Sequence, residues 1–230
     1  MKYVYYILIL SIFLNCQNSH ETKRDIEVDT KITKVEAPKL NLEQTSSQIT
    51  AEYKASLVSG ENLVDLTGGF GIDSYFFSKN AKNVVYNELN TDLAEIVQHN
   101  YKALKIDNIE VNSGDGLAFL EATAVKFDWI YLDPARRDDH GGKVFRLADC
   151  TPDIIENLPL LFEKSDNILI KTSPLLDLKL GISELDFVAE IHVVAVENEV
   201  KELLWILKKD STSAVNIISK NFSKKGNQSF

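Results

Sequence analysis

Apolar, β-rich runs alternate with helix-like stretches through most of this chain, and that alternation constrains its fold more than any other feature. The runs cover residues 62–67, 83–88, 109–112, 127–132, 167–171 and 187–196. Helical periodicity fills 72–79, 91–104, 117–123 and 152–164, with a weaker stretch over 175–185 that Gly181 interrupts. Strands that alternate with helices build βαβ units, and right-handed crossovers wind such units into a mostly parallel sheet covered on both faces. The expected fold is therefore α/β, a Rossmann-like doubly wound sheet. Val193–Val196 and Leu203–Leu207, joined by a short polar link, predict a C-terminal hairpin that adds an antiparallel strand. A further helix is expected over 42–58, where Asn41 and Gln44 have capping-box spacing and Leu42, Ile49, Tyr53 and Leu57 recur at helical intervals.

The remaining segments differ in character. Met1-Lys2, a short apolar run and Cys16 have the order of a lipoprotein-type secretory signal. The run is shorter than the roughly 20 apolar residues of a spanning helix, and a buried N-terminal strand or helix is the competing reading. Residues 17–40 are polar and aperiodic and read as a flexible linker. The Ser-, Asn- and Lys-rich stretch 210–230 is expected to be loosely ordered. The 230 residues are 44% hydrophobic, enough for one sizeable core, and acidic residues outnumber basic ones 34 to 25. An acidic chain can bind nucleic acid only through a local basic patch. Arg136, Arg137, Lys143 and Arg146, with His140 between them, are such a patch, unless Asp138 and Asp139 leave them a solvated loop. The two cysteines, Cys16 and Cys150, match no metal or Cys-x-x-Cys spacing, so no metal site is expected. Cys150, His99 and His192 read as packing or surface residues.

Four stretches carry chemistry, and each ends a predicted strand. The first is Asp65-Leu66-Thr67-Gly68-Gly69-Phe70-Gly71, where strand runs through glycines into helix and backbone N–H groups gather at a helix start. Ser74 stands where a dinucleotide fingerprint has its third glycine, and no Gly-Lys-Ser/Thr follows. The acid ahead of the loop would repel a pyrophosphate and welcome a cationic ligand. The second is Glu88, at the end of the next strand, where a carboxylate can accept both ribose hydroxyls. The third is Gly114-Asp115-Gly116. There Asp115 either accepts from an adenine amino group or caps the helix that follows. The fourth is Leu132-Asp133-Pro134-Ala135-Arg136, at the end of a strand expected to lie beside the first. Proline there removes a donor and stiffens a turn facing the glycine loop.

Taken together, these motifs resemble class I S-adenosylmethionine-dependent methyltransferases. More narrowly, residues 41–209 resemble a bacterial, Bacteroidetes-type family of RNA methyltransferases with a THUMP-like domain. L-E-Q-T-S-S-Q-I-T-A-E-Y-K, I-K-T-S-P-L-L-D and V-K-E-L-L-W-I carry that narrower match. The resemblance implies a methyltransferase domain over 41–209, S-adenosyl-L-methionine as cofactor and RNA as substrate. It implies that Asp65, Thr67, Gly68, Gly69, Phe70 and Gly71 cradle the methionine end, Glu88 holds the ribose, and Asp115 and Gly116 border the adenine. Asp133, Pro134 and Arg136 would sit where methyl acceptor meets sulfonium. Methyltransferases acting on exocyclic amines show an aromatic after Asn/Asp-Pro-Pro. Here Ala135 and Arg136 take those places, which leaves the target atom open. The chain ends soon after the last core strand, so the THUMP-like domain is expected to be missing. The cofactor implies a cytoplasmic protein, with membrane association through residues 1–16 if that segment is an anchor. An NAD-dependent oxidoreductase and a non-catalytic cofactor-binding module are the competing readings.

Overall fold

A computed structural model of the chain describes residues 46–136, 147–223, 226 and 228–229. The apolar start, the linker, the Asn41–Gln44 box, and Arg137, His140, Lys143 and Arg146 of the basic loop all lie outside those residues.

The elements run in the predicted order. Helix α1 (Gln48–Ser56) leads into β1 (Gly60–Asp65), α2 (Ile72–Phe77), β2 (Ala81–Glu88), α3 (Thr91–Ala103), β3 (Ile109–Ser113), α4 (Gly116–Ala122) and β4 (Trp129–Leu132). A two-residue ladder of β5 (Ala135–Arg136) and β6 (Cys150–Thr151) precedes α5 (Ile154–Lys164), β7 (Asn167–Thr172) and α6 (Leu178–Glu184). Strands β8 (Val188–Val196), β9 (Glu199–Lys208), β10 (Asn216–Phe222) and β11 (Gln228–Ser229) complete the chain. Helix α1 is shorter than its periodicity implied, because Ser47, whose side chain accepts from Thr50 N, caps it at Gln48.

Among the described residues the main sheet has nine strands, in the order β11-β10-β8-β9-β7-β4-β1-β2-β3. Strands β7, β4, β1, β2 and β3 are parallel, while β9 runs antiparallel between β7 and β8 as the predicted hairpin requires. Side chains alternate between two cores, one on each face. Leu63, Tyr131, Leu169 and Leu204 pack with α1, α2 and α3, whereas Val64, Ile130, Ile168 and Trp205 pack with α4 and α5. Gly181 has a packing reason, since a Cβ there would lie 2.4 Å from the Trp205 ring.

One expectation is corrected. Residues 216–222 are not loosely ordered but form β10, which pairs in parallel with β8 from Asn216 to Phe222. The polar composition that concealed this strand suits its half-exposed position near the sheet edge. Phe222 anchors it, meeting the Tyr53 ring edge-on at 5.3 Å.

Candidate active site

Because β1 and β4 are neighbours and β2 and β3 extend the sheet to one side, the carboxyl ends of four strands meet at one edge. A cleft of about 420 Å³ opens there, where open α/β sheets bind their ligands. Asp65, Thr67, Gly68, Gly69, Phe70, Glu88, Asp115, Gly116 and Asp133, all anticipated from sequence, line it. Gly71 and Pro134 do not. Gly71 is the left-handed residue before α2, and its carbonyl accepts from the Tyr101 hydroxyl. Pro134 is buried. Arg136 is described only through its backbone, which pairs with Cys150 in the β5–β6 ladder. Cys150 itself is fully buried, consistent with a packing thiol.

The glycine loop is held from all sides. Thr67 N donates to Asp65 Oδ1 at 3.0 Å and the Ser74 hydroxyl donates to Asp65 Oδ2 at 2.6 Å, so the loop folds back on the acid that precedes it. Ser74, which stands at the third-glycine position, thus has a bonding role of its own. Asp133 N donates to Thr67 Oγ1 at 2.6 Å and ties the end of β4 to the loop. Gly68 is required by packing, because a Cβ would lie 2.1 Å from the Tyr86 ring. Gly69, at φ +53°, has only the Thr67 carbonyl at 3.9 Å near its Cβ direction and leaves the cleft surface bare. Glu88 braces the same residue, its Oε2 accepting from Gly69 N at 2.9 Å and its Oε1 from Asn90 N at 2.8 Å. Asp115 caps α4, accepting from Leu117 N and Ala118 N through Oδ1, while also lining the cleft. The two roles weighed for it in the sequence are thus compatible.

Sequence reasoning missed the charged floor of the cleft. Ser46, Asp73 and Tyr131 also line it. Asp73 Oδ2 accepts from the Ser46 hydroxyl at 2.9 Å and from the Tyr131 hydroxyl at 2.7 Å. Its Oδ1 faces the ammonium of Lys54 at 2.9 Å, and Lys54, with no exposed surface, reaches Glu202 of β9 at 3.2 Å. Lys171 of β7 lies 2.5 Å from Asp133 Oδ2. Burial alone would raise Asp73, but Lys54 and then Lys171 draw its carboxyl below the ordinary range. Burial pushes Asp65 up to about 7, because its Ser74 and Thr67 hydrogen bonds offset only part of the desolvation. Burial likewise raises Glu202, which Lys54 opposes. The contacts of Asp73 with Ser46, Lys54 and Tyr131, of Lys54 with Glu202 and of Lys171 with Asp133 do not follow local spacing. Their only signal in the sequence is charged residues at positions that the helical and strand patterns bury.

Among the described residues, no group of three or more His, Cys, Asp and Glu side chains is placed to hold a metal ion. No helix of the described residues is long and apolar enough to cross a membrane.

The fold is that of class I S-adenosylmethionine-dependent methyltransferases, as comparison with known proteins shows. The chain superimposes with a TM-score of 0.72 on a Porphyromonas gingivalis W83 protein provisionally described as a methyltransferase. The two are 33% identical, and the match covers 83% of this chain and 49% of the other. An uncharacterized RNA methyltransferase of Mycoplasma mobile is 35% identical over 77 residues, 34% of this chain and 21% of that protein. TrmK of M. capricolum, solved with S-adenosyl-homocysteine, shares the fold at a TM-score of 0.54 and 14% identity, over 79% of this chain and 71% of its own. The chain therefore spans about half the length of the P. gingivalis protein and about a fifth of the Mycoplasma one. No protein-family model matches it. None of these three relatives is described as THUMP-like.

Proposed function

We propose that this chain transfers a methyl group from S-adenosylmethionine to a nucleic acid, and that the acceptor is RNA. The convergence of Asp65, Glu88, Asp115 and Asp133 on one cleft, each at or just beyond the end of a successive strand of the parallel sheet, carries this reading. The residues present fit the cofactor. Bare backbone at Gly69 and Gly114 leaves room for a ligand packed against the chain, since a Cβ at Gly114 would meet nothing within 4 Å. Glu88 has accepting capacity left after its two backbone donors, as a ribose diol needs. Leu89, Leu93 and Leu117 lend the cleft apolar wall on the adenine side.

When bound, the cofactor supplies an electrophilic methyl on a cationic sulfur, so the protein's tasks are alignment and charge placement. Asp133 is fixed through its backbone by Thr67 and through Oδ2 by Lys171, which leaves Oδ1 to accept a hydrogen bond from the acceptor base. Held in that way, Asp133 orients the acceptor lone pair toward the methyl. Ser74 at the third-glycine position and the Asp133-Pro134 turn both favour this chemistry over hydride transfer. The RNA assignment draws its support from the Mycoplasma relative's description and from the basic residues that follow Asp133. Titration calorimetry with S-adenosylhomocysteine tests the first half of the proposal: micromolar binding supports it, and no binding to the folded protein overturns it.

A further inference from the structure

The cleft contains two buried acids on the glycine-loop side, Asp65 and Asp73, and only one can serve as the main receptor for a cation. Asp65 is 1% exposed, and its oxygens accept from Thr67 N at 3.0 Å and from the Ser74 hydroxyl of α2 at 2.6 Å. Asp73 is 9% exposed, and its Oδ2 is framed by the hydroxyls of Ser46 and Tyr131, both of which line the cleft. That oxygen therefore lies at the cleft surface.

Charge points the same way. Lys54, which has no exposed surface, is shared between Asp73 and Glu202, so two carboxyl groups face one ammonium. Lys171, the next cation, is already held by Asp133. If both acids ionise the trio carries an excess negative charge, and among the described residues Glu202 Oε1 has no hydrogen-bond partner. A buried excess charge is costly unless something neutralises it. Asp73 is the member of the trio that reaches the cleft, so a cation bound there completes the set. Ser46 can release Asp73 when such a ligand arrives, because its hydroxyl rotates and already accepts from Lys54 Nζ at 2.6 Å.

We infer that Asp73, held in place by Lys54 of α1, receives the α-ammonium group of the cofactor's methionine portion, and that Asp65 shapes the loop instead. The inference rests on the cofactor reading above and adds a binding residue to it. It also gives α1 a part in the site, through Ser46 and Lys54.

Two ligands separate this assignment from a purely structural role. S-adenosylhomocysteine carries the amino-acid group; 5′-methylthioadenosine has the same nucleoside and thioether sulfur without it. For Asp73→Asn, calorimetry is expected to show roughly 10- to 100-fold weaker binding of S-adenosylhomocysteine, the scale of a lost charged hydrogen bond, and about twofold or less change for methylthioadenosine. Asp65→Asn should not show that selectivity. Equal weakening of both ligands, or unchanged S-adenosylhomocysteine affinity, overturns the assignment while leaving the cofactor reading intact. Failure of the wild-type protein to bind either ligand overturns both. If Asp73→Asn does not fold, Asp73→Glu keeps a charge opposite Lys54 and displaces the carboxylate by one methylene. The same selective loss is then expected, and equal loss on both ligands overturns the assignment.

Discussion

Lys171 Nζ lies 2.5 Å from Asp133 Oδ2, joining the carboxyl ends of two adjacent parallel strands beside the cleft. The contact holds one carboxylate oxygen and, in the proposed reaction, leaves the other for the acceptor. Lys171→Met should lower methyl transfer to RNA by roughly tenfold or more, the scale of a lost hydrogen bond to a charged group. Affinity for S-adenosylmethionine should stay within about twofold, because Lys171 does not line the cleft. Lys171→Arg should recover part of the rate. Transfer kinetics with labelled methyl groups, paired with calorimetry, check this; a parallel loss of cofactor affinity would assign Lys171 to the fold alone.

Lys54 is the most deeply buried charge described, and it holds two acids. Lys54→Met removes the ammonium that both buried acids share, a change expected to destabilise the protein by about 3–5 kcal/mol. Asp73 is held below its ordinary value, so its contribution to stability is present above about pH 4 and lost as the pH falls toward the depressed folded value. Urea unfolding at neutral and acid pH should show that acid loss in the wild type and a weaker one in Lys54→Met.

Asp65 has the opposite sign. Its folded value is raised to about 7, so the native state favours the protonated form. Its contribution is fully present below about pH 4 and is lost as the pH rises toward 7. Asp65→Asn, which stays neutral, should abolish this slope and unfold at higher urea than the wild type at pH 8. The difference should be on the order of a few kcal/mol. A wild-type profile equally steep with and without the substitution would refute the assignment.

Gly68 and Gly69 are adjacent yet should respond differently to alanine. At Gly68 the new Cβ would collide with the Tyr86 ring, whose hydroxyl donates to the Gly69 carbonyl, so the whole loop must shift. Gly68→Ala should destabilise the fold by about 1–3 kcal/mol, as overpacking does, and abolish cofactor binding. At Gly69 the Cβ would meet only the Thr67 carbonyl at 3.9 Å, an ordinary contact, on a left-handed residue, at about 1–2 kcal/mol for the conformation. Gly69→Ala should therefore fold well and lose cofactor affinity through obstruction. Thermal melts and calorimetry on the pair separate the two causes.

Much of this layout was legible in the sequence because it is local. Strand ends announce themselves by an apolar run stopping at an acid, and Asp65, Glu88 and Asp133 were found that way, with Asp115 found between its glycines. The floor of the cleft was not legible. Lys54 lies on α1, Asp73 on α2, Tyr131 on β4 and Glu202 on β9, and only the tertiary fold brings them together. Strand β10 was missed for another reason: beyond Ile217, Ile218 and Phe222 its residues are polar, and its order comes from backbone pairing with β8 rather than from an apolar pattern.

The most direct test of the central claim is transfer of labelled methyl groups from S-adenosylmethionine to total RNA from cells lacking this gene, followed by mass spectrometry of the nucleosides. The account predicts one methylated nucleoside, made by the wild-type protein and absent with Asp133→Ala, which should still bind S-adenosylhomocysteine. A wild-type protein that binds the cofactor yet methylates no RNA, or an Asp133→Ala variant that methylates it normally, would contradict the account.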